Sequence, residues 1–97
     1  MKIQTIIEEA AAAFNVDPMD IVDRNGKVGR KISTARYVCA FLLRDHLAKD
    51  KIAALLGRRN SQYAYAAIKR VQTRSQEDRD FYKKVLKLSD RFCVQWN

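Results

Sequence analysis

Residues 50–74 read DKIAALLGRRNSQYAYAAIKRVQTR, and this stretch has the spacing of two helices joined by a tight turn. Such a unit needs a small residue where its helices cross, and Ala53 is small enough. Four residues later it needs a residue that tolerates a positive φ, which Gly57 does. We therefore predict a helix-turn-helix over about residues 49–74. Its two helices should be held together by apolar side chains at Ile52, Leu55, Leu56, Ala64, Ile68 and Val71.

The turn and the start of the second helix carry polar side chains that suit DNA. Asn60 or Ser61 should cap the second helix, which should run to about Arg74. Recognition helices read bases mainly with their first turns. Asn and Gln can bond adenine, Arg can bond guanine, and an aromatic ring can contact the methyl group of thymine. The exposed face should present Gln62, Ala66, Lys69 and Thr73. The residues of this segment predicted to bind double-stranded DNA are Arg58, Arg59, Asn60, Ser61, Gln62 and Tyr63.

The charge of the chain supports a polyanionic partner. The formal net charge is +8, and it is unevenly distributed. Residues 24–74 carry thirteen Lys and Arg but only the acids Asp45 and Asp50, whereas residues 1–23 have a net charge of −4. A block this basic attracts nucleic acid by its field alone. Charge and motif thus point to the same partner.

The remaining segments also have helical periodicity. Apolar residues of one helix, about residues 2–14, recur from Ile3 to Phe14 at helical spacing. Asp17 should cap a short helix with Pro18 at its first position. Ser33 or Thr34 should cap a third helix over about residues 34–47, whose apolar stripe is Ala35, Val38, Cys39, Leu42, Leu43 and His46.

A last helix should begin at Ser75 and bury Phe81, Val85, Leu88 and Phe92, with Val94 and Trp96 folding back on the body. With 97 residues, 47% of them hydrophobic, and one Pro, the chain can form one domain with a core. We predict an all-α fold, a compact bundle of about five to six helices occupying residues 1–97 as a single domain.

Several functional classes are disfavoured by residue usage. Cys39 and Cys93 have no metal-ligand spacing, and His46 lies on an apolar stripe, so we predict no metal, no cofactor and no enzymatic activity. Glu8 and Glu9 interrupt the apolar run that a signal peptide would need, and no stretch is long enough to span a membrane. The expected location is cytoplasmic, in association with the nucleoid.

Residues 8–74 resemble the carboxy-terminal DNA-binding domain of the bacterial replication initiator DnaA. The similarity covers the short helix at residues 16–22, the basic loop at 24–31 and the helix ARYVCAFLLR at 35–44. The family signature GGRDHTTVLHACRKI aligns without a gap to residues 57–71, GRRNSQYAYAAIKRV. The resemblance implies a helix-turn-helix like that of Trp repressor. Because the central DHTT is replaced by residues 60–63, NSQY, it also implies a different target sequence.

The resemblance assigns further DNA contacts. Arg30 and Lys31 would approach a minor groove or phosphates, and Arg36 would hold the DNA backbone. Arg59 would contact a phosphate or a base. The major groove would be read by Asn60, Ser61 and Gln62, with Tyr63 alongside, while Lys69 and Arg70 would strengthen the backbone contacts.

The initiator also has an ATPase module, but this sequence contains no GxxxxGK[ST] and is too short for one. The expectation is a free-standing small protein, replication-initiator-like or regulatory, of a bacterium, phage or mobile element. Its role could lie in replication initiation or in transcription regulation.

Two other functions remain open on the sequence. A protein-interaction adaptor would dock a partner through the N-terminal helix or through the aromatic tail with Phe92 and Trp96. RNA binding is less well supported, because single-stranded RNA is usually read by aromatic side chains on a sheet or in a groove. The oligomeric state is also open, with the last helix and tail as the expected self-association surface.

Overall fold

The computed structural model describes residues 2–22, 29–58 and 60–92, and within these residues it contains six helices and no strand. The prediction of an all-α bundle is confirmed. The helices are α1 (Lys2–Ala13), α2 (Pro18–Ile21), α3 (Arg30–Leu43), α4 (Lys49–Leu55), α5 (Gln62–Glu77) and α6 (Arg79–Arg91).

The centre of the bundle is α3. Its residues from Val38 to Leu43 are all fully buried, which is expected for a helix surrounded by others rather than lying at the surface. Helices α1, α2, α4, α5 and α6 all contact it, α5 and α1 most extensively. Burial raises the pKa of Cys39 to about 12, so this thiol stays neutral and packs as a small core residue, as predicted.

The predicted end of α1 and start of α2 are confirmed in detail. Asn15 has φ 58° and ends α1, since the N–H of Val16 donates to the carbonyl of Ala11 at 2.9 Å. Asp17 then caps α2, accepting a hydrogen bond from the N–H of Met19 at 2.9 Å, and Pro18 occupies the first position. This connection brings α2 into contact with both α1 and α3.

The predicted bounds of α3 are wrong at both ends. The helix begins at Arg30 with Gly29 as its N-cap, because Thr34 is buried and its hydroxyl donates to the carbonyl of Arg30 at 2.8 Å instead of capping a helix. The helix ends at Leu43, and His46 is exposed beyond it rather than part of the apolar stripe. Arg30 and Lys31 therefore lie in the first turn of a helix rather than in a loop.

The last helix also begins later than predicted. Ser75 is buried inside α5, which continues to Glu77. The cap of α6 is Asp78, whose carboxylate accepts a hydrogen bond from the N–H of Phe81 at 3.1 Å. The expected buried edge of this helix is found at Phe81, Val85 and Leu88, with Phe92 partly buried. The predictions for Cys93, Val94 and Trp96 fall outside the described residues.

Ser89 offers a route to a more stable protein. Its side chain is 1% exposed, and its hydroxyl has no hydrogen-bond partner among the described residues. Because a buried, unpaired hydroxyl carries a desolvation penalty, Ser89→Ala should raise the free energy of unfolding by about 1 kcal/mol. Thermal unfolding should show a midpoint about 4–8 °C higher. The half-buried Ser33 of α3 provides the control for helix propensity, and an equal gain from Ser33→Ala would contradict the explanation.

Candidate nucleic-acid interface

Helices α4 and α5 are joined by the turn that the sequence predicts. Gly57 has φ 76°, which a residue with a Cβ adopts only under strain. The N–H of Arg58 donates to the carbonyl of Ala53 at 2.7 Å, and the N–H of Gly57 donates to that of Ala54 at 3.1 Å. These two bonds form a Schellman motif that ends α4. Ala53 itself is 1% exposed, in agreement with the need for a small residue there.

The start of α5 is organised by Asn60. Its side-chain oxygen accepts a hydrogen bond from the N–H of Gln62 at 2.9 Å, and its carbonyl accepts one from the N–H of Tyr63 at 3.0 Å. Ser61 is the formal N-cap but makes no side-chain cap bond. Asn60 and Gln62 are both exposed, and Ser61 is half-buried. The side-chain amide of Asn60 is thus held at the entry of the helix, next to the exposed Gln62, while Arg59 lies outside the described residues.

One side of α5 is exposed along most of its length. We call this side the α5 face. The opposite side of the helix packs against the bundle through Ala64, Ala67 and Val71. No acid occurs between Asp50 and Glu77 in the sequence, so the face offers a polyanion no repulsion of its own. The α5 face consists of Gln62, Tyr65, Ala66, Lys69, Arg70 and Thr73.

Two arginines, Arg58 beside this face and Arg70 within it, contact a row of aromatic rings. The Cζ of Arg58 lies 5.2 Å from the centre of the Tyr63 ring, and that of Arg70 lies 5.4 Å from the centre of the Tyr37 ring. The two tyrosine rings are themselves 6.1 Å apart. Cation–π contacts of this kind restrict long side chains that would otherwise be mobile. Arg58 and Arg70 are thereby pre-positioned on the α3 side of the α4–α5 unit.

Tyr63 therefore has a different place from the one predicted for it. It is half-buried against α3, and burial raises the pKa of its hydroxyl above the ordinary value. The positive charge of Arg58 beside the ring favours the charged form and opposes this shift in part. Tyr63 supports Arg58 and does not lie on the exposed face beside Gln62.

Arg36 is the clearest correction to the predicted site. Its side chain is 1% exposed and cannot reach a DNA backbone from where it lies. Its Nε donates to the carbonyl of Ile21 at 3.0 Å, and its Nη2 donates to that of Asp20 at 2.6 Å. These carbonyls end α2, so Arg36 ties α2 to α3 from inside the protein.

Four other predicted cations, Arg30, Lys31, Lys69 and Arg70, are exposed and lie beside two neighbouring grooves. Arg30 and Lys31 are exposed in the first turn of α3 and border a groove that also contains Thr34 and Arg74. Thr34 and Arg74 also line a second groove of about 570 Å³, together with Lys69 and Arg70 of the α5 face. The Nη1 of Arg74 donates to the hydroxyl of Thr34 at 3.3 Å, connecting the two grooves. Phe81 and the acids Glu77, Asp78 and Asp80 also line these grooves, so the exposed cations of α5 and of the start of α3 lie near one another without forming an unbroken basic surface.

The residues predicted to bind DNA do not include Lys49, Arg74 or Tyr65, although the sequence places Tyr65 on the flank of the exposed face. Tyr65 is 57% exposed, and the Nζ of Lys49 in α4 lies 5.7 Å from its ring centre. The signal was present, since position 65 follows Gln62 by three residues and precedes Lys69 by four, which puts all three on one side of a helix.

Within the described residues, no group of His, Cys, Asp and Glu is arranged to hold a metal ion, and no helix is long and apolar enough to cross a membrane. Comparison with known proteins finds no family model and no curated protein that matches this chain.

Proposed function

We propose that this protein binds double-stranded DNA, with α4 and α5 acting as a helix-turn-helix and α5 entering the major groove. The observation that carries the proposal is the α5 face. Its first turns present Gln62, Tyr65, Ala66 and Lys69 to solvent, beside a turn held by a Schellman motif. This is the part of a recognition helix that contacts base edges. The DnaA-like, replication-initiating or regulatory role belongs to this proposal and is supported by the likeness of residues 8–74.

The contacts divide into two kinds. Lys69 and Arg70, with Arg58 and the pair Arg30 and Lys31, would neutralise phosphates and supply most of the affinity. The bases would be read by Asn60, Ser61 and Gln62. The exposed cations of α5 and of the start of α3, with the half-buried Arg58 at the turn, suit a duplex lying along that side of the bundle.

The adaptor alternative is less well supported. A partner docking on the N-terminal helix would need the apolar face of α1. The side chains of that face are buried in the core and between 0% and 3% exposed, at Ile6, Ile7, Ala10 and Ala11. The other form of the alternative rests on the aromatic tail, which lies outside the described residues. We also propose a binding module rather than an enzyme. The buried thiol of Cys39, with a pKa of about 12, is unsuited to nucleophilic attack at neutral pH.

The proposal is tested by fluorescence anisotropy with a labelled duplex of mixed sequence at several salt concentrations. We expect a micromolar dissociation constant. The logarithm of the association constant should fall linearly with the logarithm of the salt concentration, with a slope of about −4 for four to five phosphate contacts. An unlabelled single strand of the same composition should compete poorly. After selection of a preferred sequence, Gln62→Ala should reduce the preference more than the affinity. Absence of binding at low salt would overturn the proposal.

A further inference from the structure

The two tyrosines near the start of α5 have opposite environments. The Tyr63 ring packs against Tyr37 and Arg58, whereas Tyr65 is 57% exposed on the α5 face. Met19 of α2 is the other large apolar side chain exposed among the described residues. An aromatic ring that is exposed within the predicted reading surface, and is not used in the core, is available for a ligand.

The neighbours of Tyr65 define what its ring could meet. Gln62 precedes it by one helical turn, Lys69 follows it by one turn, and Ala66 beside it adds only a methyl group. Lys49, at the start of α4, lies 5.7 Å from the ring centre and restricts it from one side. The small Ala66 leaves the ring prominent, so a base edge approaching this part of α5 would meet the ring between an amide and a cation.

We propose that Tyr65 contacts the 5-methyl group of thymine in the major groove and gives the protein a preference for A·T base pairs at that position. This inference rests on the proposed binding of duplex DNA. In unmodified DNA thymine is the base that carries a methyl group in the major groove, and apolar or aromatic side chains are the groups that recognise it. The contact uses the face or edge of the ring and does not require the hydroxyl. Tyr65→Phe should therefore preserve it, and Tyr65→Ala should remove it.

The test compares two DNA duplexes of the same length, two helical turns. One contains only A·T base pairs, and in the other every thymine is replaced by uracil, which lacks the 5-methyl group. The wild-type protein should bind the thymine duplex about fourfold more tightly, the effect of burying one methyl group. Tyr65→Phe should keep this ratio, and Tyr65→Ala should bring it close to one. Met19→Ala removes an exposed apolar side chain elsewhere and should leave the ratio unchanged. Circular dichroism should show that all variants remain helical.

Each outcome separates this inference from the proposed function. Equal binding of the two duplexes by the wild-type protein, with a normal salt slope, would overturn the Tyr65 contact and leave duplex binding intact. If Tyr65→Phe loses affinity and no thymine preference is seen, the hydroxyl donates a hydrogen bond to a phosphate. That result would also overturn the proposed methyl contact. A preference that survives in Tyr65→Ala would assign the methyl contact to another residue. No binding of either duplex would defeat the proposed function itself.

Discussion

Replacing Arg36 by methionine should lower the free energy of unfolding by about 3 kcal/mol. The guanidinium is buried and donates to the last carbonyls of α2, those of Asp20 and Ile21, at 2.6 and 3.0 Å. Hydrogen bonds to a charged group stabilise more than neutral ones, and their loss would leave these carbonyls without their donors. Methionine fills most of the volume, so the effect reports on the polar contacts rather than on a cavity. Urea unfolding followed by circular dichroism measures it.

The same variant distinguishes a structural role from a DNA contact. Arg36→Lys keeps the charge but not the two-pronged geometry, so its stability should fall between wild type and Arg36→Met. Arg30→Met, at an exposed position in the first turn of α3, should change the stability by less than about 0.5 kcal/mol. At a temperature where Arg36→Met is still folded, its salt slope for DNA should equal that of the wild type. A stable Arg36→Met with a shallower slope would return Arg36 to the DNA interface.

The fold was predictable where local chemistry decides it. Helix ends are marked through backbone preference or capping by Asn15, by Asp17 with Pro18, and by Gly57, and these ends lie where predicted. The start of α3 was not predictable in this way. Gly29, Ser33 and Thr34 all offer a plausible start, and the choice is made by packing, because Thr34 is buried against neighbouring helices and bonds back to Arg30.

The candidate site was predictable for the exposed face and not for the arginine in the core. An Arg in a helix is normally a surface residue, and the partners of Arg36 lie fifteen and sixteen residues earlier in the chain. Spacing in α3 gives no information about them. The prediction put Tyr63 beside the base-reading residues, whereas the exposed tyrosine is Tyr65, and this difference has another cause. Tyr63 precedes the buried Ala67 by four residues and so shares the phase of the core, a signal that the run of polar residues before it concealed.

Reversing two charges on the α5 face should give the largest effect on binding. The double variant Lys69→Glu with Arg70→Glu should weaken duplex binding by about 100-fold at moderate salt and make the salt slope shallower by about 2. Both side chains are exposed and line the groove that also contains Thr34 and Tyr37. The loss of the Arg70 contact with Tyr37 should affect stability by no more than about 1 kcal/mol. Anisotropy titrations at several salt concentrations measure both quantities.

The matched control separates a specific surface from a merely basic protein. Lys83 and Lys87 are exposed on α6 and border a groove with Glu9 and Ala12 of α1, away from the α5 face. Lys83→Glu with Lys87→Glu lowers the formal net charge of +8 by the same four units. If affinity depended on net charge alone, both double variants would bind the duplex equally weakly. If phosphates instead lie along α5 and the start of α3, the α6 variant should lose less than about tenfold and keep its slope. Equal losses of affinity in the two variants would mean that DNA binds no particular face and would contradict the proposed interface. A loss of affinity confined to the α5 variant would make α5 the helix to test next for base recognition.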